Sequence, residues 1–150
     1  MVKKLRKIAG LAAGAAALGT AALLAAPGTA SASPAPCGGD TSACIDLSAN
    51  TAWLMNEHGG VTYGGVPITS GKPGYETPTG RHIVSWKDID HWSQAYNAPM
   101  PYSVFFTDSG IAFHEGSLSQ ESHGCIHLSN SAARVFYGTL FPGDVVTVVP

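Results

Sequence analysis

The sequence that decides the fold runs from His114 to Cys125 and reads His114-Glu-Gly-Ser-Leu-Ser-Gln-Glu-Ser122-His123-Gly124-Cys125. It places a cysteine directly after Ser-His-Gly and eleven residues after a first histidine. A thiol becomes a usable nucleophile near neutral pH when a neighbouring group holds it as the thiolate. An imidazole does this and also transfers the proton during acyl transfer. The stretch therefore predicts an acyl-transfer site with Cys125 as the nucleophile and a histidine as its base.

The segments on either side of this stretch are predicted to be strands and one helix. Residues 102–106 and 111–114 flank a tight turn, and this hairpin would bring His114 to a strand end beside the cysteine loop. Downstream, apolar residues at i, i+3, i+4 and i+8 predict a helix over 131–140. A β-branched strand over 145–149 follows the helix.

The chain between the first cysteines and the hairpin alternates short β-forming stretches with clusters of Gly, Asn and Pro. Period-2 patterns predict strands there over 45–47, 51–55, 61–63, 66–69 and 81–86. Residues 87–101 are polar and aromatic, and we predict a long connection of the kind that forms a lid. Together, these predicted strands and the helix indicate a mainly β domain, either a sandwich or an irregular barrel, with one helix after the cysteine loop.

The first 32 residues have the features of a secretory signal peptide. Four basic residues in 1–7 precede an apolar stretch over 8–26, and Ala30-Ser-Ala32 supplies a small-residue cleavage site. The alternative is a retained membrane anchor, since the apolar stretch is just long enough to span a bilayer. We expect cleavage after Ala32, a tether over 33–43, and a catalytic domain over 44–150 that is secreted and extracytoplasmic.

The chain that remains after cleavage is acidic. It holds four basic and ten acidic residues, a formal charge of −6. Nucleic-acid binding requires a concentrated basic surface, so this class of partner is excluded. We expect a monomer.

The three cysteines support export. Cys37 and Cys44 flank a short loop, and outside the cytoplasm such a pair predicts a disulfide. Cys125 is then left over, and an odd cysteine in a secreted protein suggests a reactive thiol. Two alternatives are that Cys125 bonds one of the other cysteines, or that it is buried and inert.

The residues around Cys125 are assigned roles from local chemistry. His114 is the preferred base, while His123 has a supporting role, because side chains at i and i+2 of an extended chain stand roughly 6–7 Å apart. Gly124 allows close approach of the substrate and offers a backbone N–H to the oxyanion. Ser122 is expected to hydrogen-bond a histidine or the loop. Three other histidines are expected at the surface or in loops: His58, His82 and His91.

The segment over about 45–149 resembles the L,D-transpeptidase catalytic domain, the YkuD family. The matching pieces are Ser70-Gly71, Thr77-Pro78-Thr79-Gly80, Pro101-Tyr102, Ile111-Ala112-Phe113-His114, Ser122-His123-Gly124-Cys125-Ile126 and Pro142-Gly143-Asp144-Val145-Val146. The resemblance implies ping-pong acyl transfer between peptidoglycan stem peptides, giving a 3→3 cross-link. It implies a thioester on Cys125 and proton transfer by His114. It also implies that no metal or organic cofactor is used and that carbapenem β-lactams inhibit covalently.

Two features depart from the family pattern. His127 stands where many members have Arg or Asn, and we assign it, with Tyr102 as the candidate lid residue, to substrate binding. The interval between His114 and Cys125 is also shorter than is usual. These departures leave open an L,D-carboxypeptidase, in which water replaces the acceptor amine, and a non-catalytic wall-binding module. A zinc site formed by His114, His123, Cys125 and His127 is a further alternative.

Overall fold

The structure is a computed structural model that describes residues 34–150, so the predicted signal peptide and its cleavage site lie outside the described residues. Nine strands and one helix are present in this range. In chain order they are β1 (Ala43–Asp46), β2 (Thr51–Met55), β3 (Val61–Pro67), β4 (Gly80–Ile83), β5 (Trp86–Ser93), β6 (Ala98–Phe105), β7 (Ala112–Glu115), β8 (Ile126–Leu128), α1 (Asn130–Thr139) and β9 (Val145–Val149).

The strands form two open sheets. The five-stranded sheet has the order β3-β2-β1-β9-β4, and the four-stranded sheet has the order β5-β6-β7-β8. Most neighbours are antiparallel, but β1 pairs with β9 and β7 pairs with β8 in parallel. The prediction of a mainly β domain with one helix is confirmed, and no closed barrel forms within residues 34–150.

One hydrophobic core joins both sheets and the helix. Strands β1, β2, β8 and β9 each contribute alternate residues, because successive side chains of a strand point to opposite faces. The core residues include Ala43 and Ile45 of β1, Val146 and Val148 of β9, Phe113 of β7, Ile126 of β8 and Phe136 of α1. The inner face of the four-stranded sheet is therefore covered, and its functional residues must lie on the outer face.

Helix α1 begins where its sequence supplies a cap. The Ser129 side chain accepts a hydrogen bond from the Ala132 N–H at 3.2 Å, which satisfies one of the free amides of the first turn. The helix buries Ala132, Ala133 and Phe136. It packs against β6, β7 and β8, and so it supports from behind the strands that carry His114 and Cys125.

Two sequence predictions of the strands were wrong. Residues 61–69 were expected as two strands, but β3 continues through Gly64-Gly65 as one strand with irregular register against β2. Residues 87–101 were expected as a long connection, but they form most of the β5–β6 hairpin. Its two prolines, Pro99 and Pro101, are tolerated because β7 pairs only with Val104 and Phe105, which leaves the first half of β6 at an edge.

The N-terminal tether is fastened to the domain. Cys37 and Cys44 are bonded, as predicted, and an ion pair joins Asp40 to Arg81 of β4. Cys125 is free, so the alternative in which it bonds another cysteine was wrong. Within residues 34–150, no helix has the length and apolarity needed to cross a membrane.

Candidate active site

The parallel pairing of β7 with β8 brings His114 and Cys125 together. The register places Phe113 opposite Ile126 and His114 opposite His127. Phe113 and Ile126 point into the core, so the residues next to them, His114 and Cys125, share the outer face. They are diagonal neighbours across the two strands, a separation that an imidazole ring can span. Both side chains line the same cleft.

The Cys125 thiol lies in a largely apolar setting. It packs against Met100, Phe105 and Ala112, and its sulfur is 3.9 Å from the Gly110 carbonyl oxygen. Burial raises the pKa of the Cys125 thiol, and the backbone N–H of Ala112 opposes this rise only in part. The resting thiol is therefore protonated at neutral pH.

The His114 imidazole is buried and neutral. Its Nδ1 is 2.7 Å from the Glu115 carbonyl oxygen, which can only accept, so Nδ1 carries the proton and Nε2 is left as the acceptor. Burial lowers the pKa of His114 to about 4; the bond to Glu115 opposes the shift, and the charges of His127 and His91 add to it. Both partners are therefore neutral, so a preformed thiolate–imidazolium pair is not favoured. His114 can take the thiol proton only as the sulfur attacks.

Ser122 holds the cysteine turn closed. Its hydroxyl donates to the Cys125 carbonyl oxygen at 2.6 Å and accepts the Gly124 N–H at 3.0 Å. The predicted role of Gly124 as an oxyanion donor therefore needs correction, because its N–H is already bonded. Gly124 is instead required for its backbone shape: its φ is +122°, and a Cβ there would lie 3.0 Å from the Ile111 side chain.

Thr77 supports the same turn from a second loop, and sequence reasoning did not assign it a site role. Its buried hydroxyl donates to the Gly124 carbonyl oxygen at 2.7 Å and accepts the Gly71 N–H at 3.1 Å. The Ser122 N–H also donates to the Ser70 carbonyl oxygen at 2.9 Å. The Ser-Gly and Thr-Pro-Thr-Gly segments matched the family pattern in the sequence. These hydrogen bonds are their structural role: they support the turn that carries Cys125.

The two remaining histidines of the motif region have different surroundings. His123 is exposed, and its ring lies between Tyr96, stacked at 4.1 Å, and Tyr75, edge-on at 4.7 Å. His127 is partly buried, and its Nδ1 lies 2.9 Å from the Ser117 carbonyl oxygen. Its ring is 4.9 Å from that of His114. His123 is thus held beside the site by aromatic contacts, and His127 lies directly against the base.

Tyr102 does not reach the cleft, which corrects its predicted role in substrate binding. Its ring packs edge-on against Tyr137 of α1 at 5.9 Å, on the side of the sheet that faces the helix. Tyr102 has φ +58°, and the register of β6 against β5 skips it. Tyr96, in the turn of the same hairpin, is the tyrosine that lines the site.

Two clefts meet at Cys125. The histidine cleft, of about 450 Å³, is lined by His114, His123, His127 and Glu121 among others. The hairpin cleft, of about 660 Å³, is lined by residues of the β5–β6 hairpin and the 107–110 turn. Both clefts include Cys125, so a carbonyl at the sulfur can be approached from two directions.

The family model for the L,D-transpeptidase catalytic domain, YkuD, matches residues 40–148. The chain belongs to this family. The match covers the cysteine turn, the strand that carries His114 and the supporting Thr77 loop, so the resemblance inferred from the motifs is confirmed.

Individual relatives of this YkuD domain are similar along most of the described chain. Probable L,D-transpeptidase 3 of Mycobacterium tuberculosis is 31% identical over 104 residues, which is 57% of this chain and 38% of that protein. The crystal structure of an L,D-transpeptidase from Stackebrandtia nassauensis has a TM-score of 0.68 at 29% identity, covering 72% of this chain and 54% of that one. The structure of LdtMt1 in complex with imipenem has a TM-score of 0.65 at 27% identity, covering 70% and 56%. The chain therefore spans less than two thirds of each of these relatives.

The zinc alternative has no support in this YkuD domain. Among residues 34–150, no group of three or more His, Cys, Asp or Glu side chains is arranged to hold a metal ion. His123 is turned into its contacts with Tyr75 and Tyr96, and Nδ1 of His127 is bonded to Ser117.

Proposed function

We propose that the protein is a secreted cysteine L,D-transpeptidase that joins peptidoglycan stem peptides by 3→3 cross-links. Membership of the YkuD family supports the reaction class. The observation that carries the proposal is the position of Cys125, a free thiol at the junction of two clefts, with the neutral His114 on the same sheet face. An enzyme that joins two peptides at one sulfur needs room on both sides of it.

The first half-reaction transfers an acyl group to the sulfur. Nε2 of His114 takes the thiol proton as Cys125 attacks the carbonyl carbon of the third stem residue. The C–S bond forms, the bond to the terminal D-alanine breaks, and His114 gives the proton to the departing amine. Because both partners start neutral, no charge has to be held in the buried site before the substrate arrives.

The second half-reaction resolves the thioester. A side-chain amine of another stem peptide attacks the thioester carbonyl, the new C–N bond forms and the C–S bond breaks. The sulfur recovers its proton through His114, which works in the reverse direction. With water in place of the amine, the same steps release a shortened peptide, which is the carboxypeptidase reaction.

Covalent inhibition by carbapenems belongs to the same proposal. The carbonyl of a β-lactam can acylate the thiol in the same way. Its amide nitrogen is the leaving group, but the ring keeps this nitrogen attached to the acyl group. The related LdtMt1 has been solved in complex with imipenem, which supports the expectation that Cys125 opens this ring. Export through the segment over 1–32, action at the cell wall as a monomer, and stem peptides as substrates complete the proposal.

The test combines intact-mass measurement with product analysis. Cys125→Ala is expected to abolish imipenem labelling and peptide cross-linking, while Thr139→Ala, an exposed substitution at the end of α1 and away from both clefts, should retain both. Mass spectrometry of the products separates a cross-linked dimer from a trimmed tripeptide. Labelling that persists in Cys125→Ala would reject the assigned nucleophile. Binding to cell walls without any labelling of the wild type would instead support a non-catalytic module.

A further inference from the structure

The second half of the proposed transpeptidation, on which this inference rests, releases one more proton than the first half. In the first half the thiol proton leaves on the D-alanine amine, so the protons balance within the site. An alkylamine acceptor, with an ordinary pKa of about 10.4, arrives at neutral pH as an ammonium group with three N–H protons. The amide product keeps one of these protons and the Cys125 sulfur takes another. His114 is occupied with the proton that reaches the sulfur, so the remaining proton passes either to solvent or to a second base in the site.

The structure contains a second imidazole that is oriented as general bases usually are. Nδ1 of His91 lies 3.1 Å from Oδ2 of Asp88. The carboxylate accepts, so Nδ1 carries a proton and Nε2 is left free to accept another. The other carboxylate oxygen of Asp88 is fixed as well, since it accepts the Asp90 N–H at 3.1 Å. A carboxylate bonded to Nδ1 sets the tautomer of a catalytic histidine in the same way, although here the Asp88 side chain is 39% exposed.

His91 is placed in the hairpin cleft. It pairs with Met100 across β5 and β6, and Met100 packs with Cys125 on the outer face of the sheet. Its ring is held edge-on by Phe105 at 4.9 Å and by Trp86 at 5.5 Å. The side chain is 25% exposed, so it is accessible from the cleft and yet restrained.

The two imidazoles serve different sides of the sulfur. His91 and Cys125 line the hairpin cleft, whereas His114 and Cys125 line the histidine cleft. They are close enough to interact, because the charge of His91 contributes to lowering the pKa of His114. The titratable groups that face His91 across the hairpin cleft, besides Asp88, are Asp108, Tyr96 and Cys125.

We propose that His91, oriented by Asp88, accepts the excess proton of the acceptor amine in the hairpin cleft. The ammonium group gives one proton to Nε2 of His91 and becomes a nucleophilic amine. Its nitrogen then forms the C–N bond to the thioester carbonyl, while its second proton passes through His114 to the sulfur as the C–S bond breaks. The imidazolium of His91 finally releases its proton to water. The acceptor is therefore an amine that enters from the hairpin, and the acyl donor occupies the histidine cleft.

The test separates the two half-reactions by rapid quenching with a synthetic stem tetrapeptide that is both donor and acceptor. Release of D-alanine reports acylation, and formation of the cross-linked dimer reports aminolysis. In His91→Gln, dimer formation at pH 7 is expected to fall by about 10²-fold, as for loss of a general base. The acyl-enzyme should accumulate and give a burst of D-alanine. The defect should shrink as the pH is raised to about 10, where much of the acceptor arrives as the free amine.

Two further variants make the result specific. Asp88→Asn keeps the ring and removes the orienting carboxylate, so it should show a smaller defect with the same recovery at high pH. Asp90→Asn, an exposed carboxylate on the same strand, is the matched control and should form dimer at the wild-type rate. If His91→Gln forms dimer at the wild-type rate, or slows acylation as much as aminolysis, the inference is rejected and the proposed function stands. A wild type that is acylated but forms no dimer at any pH rejects both.

Discussion

At the scale of single residues, burial decides how the nucleophile works. Cys125 and His114 lie on the outer face of one sheet, yet both are withdrawn from water, and desolvation penalises the charged form of each. The pKa of the thiol is raised and that of the imidazole is lowered, so the resting pair carries no charge. In the proposed mechanism, the thiol is therefore activated only when a substrate arrives.

The pH dependence of the free energy of unfolding should reflect the neutral state of His114. Its pKa is about 4 in the folded chain against an ordinary value of 6.5. Between these values the unfolded chain binds a proton here and the folded chain does not. The free energy of unfolding should therefore be fully retained above pH 6.5 and fall by about 3 kcal/mol as the pH drops to 4. In His114→Gln this part of the decline should vanish. Urea unfolding of the wild type and of His114→Gln at pH 7.5 and 4.5 measures this decline. Identical declines in the two proteins would contradict the neutral state assigned to His114.

Most of the residue-scale chemistry was accessible from the motif, and the exceptions have a common cause. His114, Cys125 and the bracing hydroxyl of Ser122 lie within twelve residues, so their proximity is local. Thr77 reaches Gly124 across 47 residues of sequence. His91 enters the site only through strand pairing. Contacts of this kind depend on the register between distant strands, which no short pattern encodes.

At the scale of elements, the β5–β6 hairpin forms one wall of both clefts, and a ring contact with the cysteine turn restrains its tip. Tyr96 stacks on His123 at 4.1 Å with an angle of 16° between the rings. The hairpin was mistaken for a loop because its outer face lines a cleft and carries polar and aromatic side chains where a buried strand would carry aliphatic ones.

Removing the Tyr96 ring should release the turn of this hairpin. A stacked pair of this kind contributes about 1 kcal/mol. In Tyr96→Ala, amide hydrogen exchange in residues 94–97 should accelerate by about fivefold. Tyr96→Phe keeps the stacking ring and should exchange at the wild-type rate. Exchange that is unchanged in Tyr96→Ala would show that the contact with His123 does not restrain the hairpin.

At the scale of the whole molecule, the N-terminal tether and the five-stranded sheet are joined covalently. The Cys37–Cys44 bond closes a loop with a sequence separation of 7. Loss of a disulfide that closes a loop of this length should lower the free energy of unfolding by about 2–3 kcal/mol. Urea unfolding of Cys37→Ser/Cys44→Ser against Cys125→Ser tests this, because the second protein loses a thiol but no bond. Equal stability of the two proteins would contradict the expectation.

The overall architecture was predictable to the level of class but not of topology. The strand over 145–149 and the helix were located closely because β-branched and 3.6-period patterns are strong local signals. The order of the strands within each sheet could not be predicted, because the residue pattern along one strand does not specify which strand it pairs with. The parallel pairing of β1 with β9 joins residues about a hundred positions apart.

That pairing has a consequence for the way the chain acquires its shape. β9 lies between β1 and β4, so every hydrogen-bonded connection between the first three strands and β4 passes through it. Until residues 145–149 are available to pair, the larger sheet exists only as the separate units β3-β2-β1 and β4, with their apolar faces in water. A polypeptide with this topology commits to its native structure late, because its last strand is the one that joins β1 to β4.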